Sequence, residues 1–198
     1  MTRSLTISLL LLFFSIAAKG GTCEEFHSYA TDELIEYRTV LTDEKADPFE
    51  RLAAFERLIC SDNPNIRNYA IKQGLNPNND PLVRNQVLLG ALMQKSRISV
   101  KLSETKDITE HDKKFIQQHA AVYVQNISFR DSVKGCVGFY YKECRTDYSA
   151  SISGDLVEFN YSPVFGEFKL SETGDLVGYL RAKADGKHSK IPAKIALF

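Results

Sequence analysis

Neither sign of charge dominates this chain: 25 Lys and Arg stand against 25 Asp and Glu, and no cluster of basic residues breaks the balance. Nucleic-acid binding rests on a strongly basic face that neutralises phosphates, so no nucleic-acid partner is expected. Chemistry is equally scarce. There is no Gly-x-Ser-x-Gly elbow, and Ser103-Glu104-Thr105-Lys106 matches Ser-x-x-Lys without the companion motifs of penicillin-recognising enzymes. A Gly-rich phosphate loop, a dinucleotide fingerprint and a Cys-x-x-Cys pair are all missing. His27, His111, His119 and His188 lack metal-ligand spacing. Glu24-Glu25, Asp43-Glu44 and Glu104 with Asp107 fall where solvated helix starts or loops are expected, not where paired carboxylates do acid–base work. The expectation is a non-enzymatic protein with no metal and no cofactor.

Long apolar runs are missing too, except at the start. Arg3 precedes the run from Leu5 to Ala18, which closes in small residues up to Gly21. That is the form of a secretory signal peptide over residues 1–20, cleaved after Ala18 or Gly20, and it is shorter than the roughly 20 residues a membrane span needs. A lipoprotein reading of Cys23 is less favoured, because Gly20-Gly21-Thr22 lacks the usual leucine. Losing Arg3 and Lys19 with the leader takes the 25 basic residues to 23, against 25 acidic. The mature chain is therefore expected to be secreted or periplasmic and not membrane-spanning, where disulfides are permitted. Cys23, Cys60, Cys136 and Cys144 allow three pairings, and proximity favours Cys23 with Cys60 and Cys136 with Cys144. The second pair needs a bend near Gly138 or Lys142, since an extended segment would hold its Cα atoms too far apart. Two sequons, Asn126-Ile127-Ser128 and Asn160-Tyr161-Ser162, matter only in a eukaryotic secretory pathway.

What is present is a repeat. Asp47-Pro48-Phe49-Glu50-Arg51, Asn63-Pro64-Asn65-Ile66-Arg67 and Asp80-Pro81-Leu82-Val83-Arg84 recur at spacings of 16 and 17 residues. Proline at the first helical position loses nothing by lacking an N–H, and the Asp or Asn before it accepts from the first-turn amides. Three helix starts are predicted. Small and then large apolar residues follow at matching offsets: Ala54, Ala70 and Val87, then Phe55, Ile71 and Leu88, then Ile59, Leu75 and Leu92. An earlier helix over 24–39, from Phe26, Tyr29, Leu34 and Tyr37, is predicted to lie as a lid on the stack. The proline-headed helix with an arginine one turn in resembles the HEAT and armadillo class over residues 47–94. The resemblance implies a short α-solenoid over 21–95 that serves as a binding surface.

From Arg97 the apolar period becomes two, with strands around Ile98–Leu102, Ile127–Phe129, Tyr148–Ile152, Leu156–Tyr161, Phe165–Leu170, Leu176–Leu180 and Ile191–Phe198. Gly154-Asp155, the 171–175 segment and Asp185-Gly186-Lys187 are turns between antiparallel neighbours. Thr109-Glu110-His111-Asp112 resembles a capping box, opening one helix with Phe115, Ile116 and His119 inward. The fold class is thus α+β: a HEAT-like helical domain, then an antiparallel sheet or half-barrel over 96–198 with one helix. Ser153-Gly154-Asp155-Leu156-Val157-Glu158-Phe159, the segment from Leu170 through Asp175-Leu176-Val177-Gly178, and the closing strand resemble the last strands of calycin-like secreted barrels. That resemblance implies a ligand inside the curled sheet.

Two constellations are candidate sites. Arg51, Arg67 and Arg84, one per helix at one offset, form a ladder that either grips acidic residues of a partner or pairs with Asp or Glu of the next helix to hold register. After residue 97 lie 13 of the chain's 21 Phe and Tyr, including Phe139-Tyr140-Tyr141. Consecutive aromatics on a strand point to opposite faces, so Tyr140 or Tyr141 is left to anchor an interface, line a ligand wall or fill a second small core. The first reading is a secreted or periplasmic protein-binding module, such as an inhibitor or immunity-type protein, whose partner is another extracytoplasmic protein. Its alternative is a small-molecule or lipid carrier with an apolar cavity lined by Phe139, Phe159, Phe168 or Tyr179. A hydrolase, with a converging His and carboxylate at the domain junction, is the third.

Overall fold

A computed structural model describes Cys23, residues 25–182 and residues 189–198. The expected leader, the turn at Asp185-Gly186-Lys187 and His188 lie outside the described residues. Helices come first: α1 (Thr31–Thr42), α2 (Pro48–Ile59), α3 (Pro64–Gly74) and α4 (Pro81–Gln94). All three repeated phrases start helices as their chemistry dictates. Asp47 accepts from the Phe49 amide at 2.8 Å, Asn63 from Asn65 at 2.9 Å and Asp80 from Leu82 at 2.7 Å. Such caps stabilise a helix by about 1 kcal/mol each.

The helix expected over 24–39 starts later, at Thr31. Phe26 and Tyr29 precede it because their segment is held extended: the His27 amide donates to Cys60 O, the Asp62 amide returns to His27 O, and Cys23 is disulfide-bonded to Cys60. A covalent tie and two strand-like hydrogen bonds override a local helical period. Two glycines outside the repeated positions mark the closest helix packing. A Cβ on Gly74 would lie 2.5 Å from a Val87 methyl, and one on Gly90 would meet the Phe55 ring at 3.1 Å. Helix α2 touches α1, α3 and α4, and α1 also touches α3. Three helices gathered round α2 make a cluster, and three equivalent starts do not by themselves extend it into a solenoid.

The rest is a nine-stranded antiparallel sheet with one more helix, α5 (Glu110–Gln118). Its strands are β1 (Arg97–Leu102), β2 (Val122–Asn126), β3 (Phe129–Asp131), β4 (Cys136–Gly138), β5 (Tyr148–Ser153), β6 (Leu156–Tyr161), β7 (Val164–Leu170), β8 (Leu176–Arg181) and β9 (Ile191–Ile195). The spatial order is β2-β1-β9-β8-β7-β6-β5-β4-β3. Laid flat, the edge strands β2 and β3 would sit roughly 38 Å apart at about 4.8 Å per strand. Yet only Ile127 and Ser128 separate them in the chain, a link that spans at most about 11 Å. The sheet must therefore curl into a half-barrel, and its two edges are the two halves of one segment.

Contacts across the interior agree with that curl. Tyr123 on β2 and Phe159 on β6 lie five strands apart in the order, yet their ring centroids are 6.1 Å apart. Helix α5 covers Tyr123, with Phe115 5.6 Å from its ring and Ile116 buried. Its start is the expected capping box: the Asp112 amide donates to Thr109 Oγ1, and the Thr109 amide donates to the Asp112 carboxylate. The buried Asp112 carboxylate also accepts from the Ser189 amide and hydroxyl, tying α5 to the segment that leads into β9. Helix α4 joins the two halves. Arg84 donates to Ser171 O in the β7–β8 turn, and Arg130 on β3 donates to Met93 O and Lys95 O at the end of α4. One continuous core results, running from Leu41 and Phe55 through Leu92 to Phe168 and Ile195.

Candidate partner-binding surface

Between β4 and β5 the chain makes a loop, residues 139–147, that sequence proximity alone closes with a disulfide. Cys136 and Cys144 are bonded with their Cα atoms 6.3 Å apart, and the required bend falls right after Gly138. Glycine is needed there, because a Cβ on residue 138 would lie 2.7 Å from Glu143 O as the loop doubles back. Three hydrogen bonds brace the loop: Ser128 Oγ donates to Tyr141 O at 2.9 Å, Ser149 Oγ to Arg145 O at 2.6 Å, and the Phe139 amide to Tyr148 O at 3.0 Å.

On this braced frame the aromatics form a chain from core to surface. Phe159 touches Phe139 at 4.9 Å between centroids, Phe139 touches Tyr161 at 6.2 Å, and Tyr161 touches Tyr148 at 5.4 Å. Tyr148 then meets Tyr141 at 5.5 Å and Tyr140 at 6.1 Å, and Tyr140 and Tyr141 meet each other at 5.0 Å. The Arg145 guanidinium lies 4.3 Å above the Tyr141 ring. Phe139 is buried, Tyr141, Tyr148 and Tyr161 are half-buried, and Tyr140 is 68 % exposed. Phe139-Tyr140-Tyr141 therefore divide between inside and outside as expected, although they lie in the loop just past β4 rather than on a strand.

The arginine ladder is spent differently at each rung. Arg51 is 3 % exposed, its Nε donating to Leu41 O at 3.3 Å and its Nη2 to the Asn79 side chain. Arg67 donates to Ser61 O and Asp62 O and lies 4.7 Å from the Phe26 ring centre. Arg84 donates to Ser171 O and leaves its buried Nε without a hydrogen-bond partner. Backbone carbonyls, not carboxylates, take these guanidinium groups: Arg51 and Arg67 face carbonyls at the ends of α1 and α2, where C=O groups lack intrahelical partners, and Arg84 faces a carbonyl of the β7–β8 turn.

The proposed cavity residues also separate. Phe159 and Phe168 are fully buried, and Phe139 and Tyr123 pack onto Phe159. Side chains thus fill the middle of the curl. Tyr179 is on the opposite face, since Leu176 and Leu180 point inward and the alternation of a strand sends Tyr179 outward, beside Glu167 and Pro192. Burial pushes the Tyr123 phenol up to about 12; a hydrogen bond with Gln125 partly offsets this and nearby Tyr161 adds to it. Burial also lowers the Lys95 ammonium below its usual range.

Among the described residues, no group of three or more His, Cys, Asp or Glu is placed to hold a metal ion. His119 lies between rings, 4.6 Å from Phe115 and 4.9 Å from Tyr123. The residues that sequence reasoning missed are Tyr148, Tyr161 and Arg145. The first two were within reach: the Gly154-Asp155 turn sets a register in which Tyr148 falls opposite Tyr161. Among the described residues no helix is long and apolar enough to cross a membrane, and the two disulfides indicate an oxidising, extracytoplasmic setting. Compared with protein-family models, with curated proteins and with solved structures, the chain matches none.

Proposed function

We propose that this chain is a secreted, non-enzymatic module that binds another extracytoplasmic protein, as an inhibitor or immunity-type protein does, through the tyrosine surface of the 139–147 loop. The observation that carries the reading is the pairing of exposure with rigidity: a chain of four tyrosines in contact and an arginine, braced by a disulfide and continuous with the core. Tyrosine and arginine dominate the energetics of protein interfaces, and a surface ordered beforehand loses little entropy on docking. The filled middle of the sheet favours this over the carrier reading, because Phe159 and Phe168 occupy the space a ligand would take. The test is capture from the native envelope or culture fluid with the wild-type protein and with Tyr140→Ala/Tyr141→Ala as baits. A protein held by the first and released at least about 10-fold by the second supports the reading. Equal recovery on both baits, or a lipid or metabolite as the bound species, overturns it.

A further inference from the structure

The face of β6, β7 and β8 opposite Phe159 holds a shallow cavity of about 410 Å3 lined by Glu158, Asn160, Phe165, Glu167, Tyr179 and Arg181. Strand register sets these six as a grid. Glu158, Glu167 and Tyr179 lie opposite one another in one row, and Asn160, Phe165 and Arg181 form the next. Two things about the grid are costly. Like charges directly opposite destabilise a sheet, yet Glu158 and Glu167 face each other, and among the described residues no basic side chain forms an ion pair with either. The nearest polar partner is Ser151 Oγ, 3.4 Å from Glu158. Arg181 is half-buried, its Nε sealed from water with no hydrogen-bond partner, and among the described residues no carboxylate pairs with it. A buried donor left unpaired costs free energy that a neighbouring carboxylate would relieve, but Glu167 lies opposite Tyr179, not Arg181.

Carboxylates and a guanidinium that share a cavity without pairing keep charge of both signs for a ligand. Opposed side chains start about 5 Å apart, so a single ammonium between Glu158 and Glu167 reaches both carboxylates. Arg181 lies one row on and one strand beyond Glu167, about 6.7 Å along and about 4.8 Å across. It suits a carboxylate, which guanidinium binds in a bidentate fork. Phe165 and Tyr179 flank the space between, and the chain's own Lys190 ammonium already lies 4.0 Å over the Tyr179 ring, so that aromatic face takes a cation's company. An α-amino acid holds its two charges too close together to span this distance. We propose that this cavity binds a zwitterion whose ammonium and carboxylate are separated by an apolar stem of about five carbons, the chemistry shared by a free ω-amino acid and by a C-terminal lysine.

The experiment titrates the disulfide-intact protein with 6-aminohexanoate by calorimetry and by NMR of the labelled chain. The expected result is saturable binding, with glycine, hexylamine and hexanoate each at least about 10-fold weaker. Glu167→Gln and Arg181→Gln, both on the face of the sheet opposite Phe159, should each lower affinity at least about 10-fold with unchanged circular dichroism and a melting temperature no lower than wild type, since each removes one of the two costs. A peptide ending in free lysine, compared with its amidated form and with a peptide carrying only internal lysine, separates a protein terminus from a free small molecule as the natural ligand. Absence of saturation up to about 10 mM, hexylamine binding as well as the zwitterion, or either variant binding as wild type overturns the proposal. Tyr140→Ala/Tyr141→Ala should leave this titration unchanged, so failure here and failure of the tyrosine surface are told apart.

Discussion

The helical half and the sheet half of this chain spend their polar groups in opposite ways. In the helices, Arg51 and Arg67 turn inward or along the surface to satisfy backbone carbonyls, and Asp47, Asn63 and Asp80 are occupied as caps. On the sheet, Tyr140 and Tyr141 of one loop gather against Tyr148 and Tyr161 of β5 and β6, and among the described residues Glu167 and Arg181 form no ion pair within one cavity. Arg84 Nε, buried without a hydrogen-bond partner, is the exception among the helices; elsewhere the lesson is a division of labour, in which polar groups consumed internally mark scaffold and those left over mark a region available for recognition.

The sharpest way to break that comparison is to cut each half's covalent tie. Replacing Cys23 and Cys60 by serine releases a link across 37 residues and should lower stability by about 4 kcal/mol, against about 2.5 kcal/mol for Cys136 and Cys144, which span 8. Urea unfolding reads both, and the second pair alone should also weaken partner capture. Next in size, Arg51→Met strips donors from the buried Leu41 carbonyl and from Asn79, for a loss of about 2–3 kcal/mol, while Arg67→Met, which bonds the carbonyl of exposed Asp62 as well as that of Ser61, should lose about 1 kcal/mol. Equal losses at both rungs would show that burial does not set their worth.

A pH titration sharpens the sheet side. Because the Tyr123 phenol is raised from 10.0 to about 12, the folded state holds its proton more tightly than the unfolded one. That contribution is complete below pH 10 and is lost as pH climbs toward 12, so alkaline unfolding curves should steepen in this window and flatten in Tyr123→Phe. The smallest effect sits where helix meets strand: Ala120 and Ala121 both adopt positive φ, 48° and 61°, between α5 and β2. Ala120→Gly removes the steric strain and should raise the unfolding free energy by about 0.5 kcal/mol, less than the strain itself because glycine also gains freedom when unfolded.

Much of this division was legible beforehand. Local chemistry announces helix starts such as Asp80-Pro81, the Thr109 box and the two-residue turn at Gly154-Asp155, since each needs only neighbouring residues to act. The start of α1 was misjudged because a disulfide and a hydrogen-bonded bridge from distant Cys60 and Ser61 decide it. Tyr179 was assigned to the wrong face for a different reason: both faces of β8 carry bulky residues, so aromatic content does not reveal which side is inward, whereas counting by twos from Leu176 does. The opposed glutamates follow from the turn at Ser162-Pro163, which sequence reading did not single out.

One feature of the curled sheet reaches into the life of the chain. Strand β1, the first made, is flanked by β2 and by β9, which ends three residues before the last. The strands from β3 to β8 pair with their neighbours in sequence, whereas Val100 can find Ile195 only after nearly the whole sheet-forming stretch has been made, so the pairing of β1 with β9 is the long-range step on which the curl of the sheet depends.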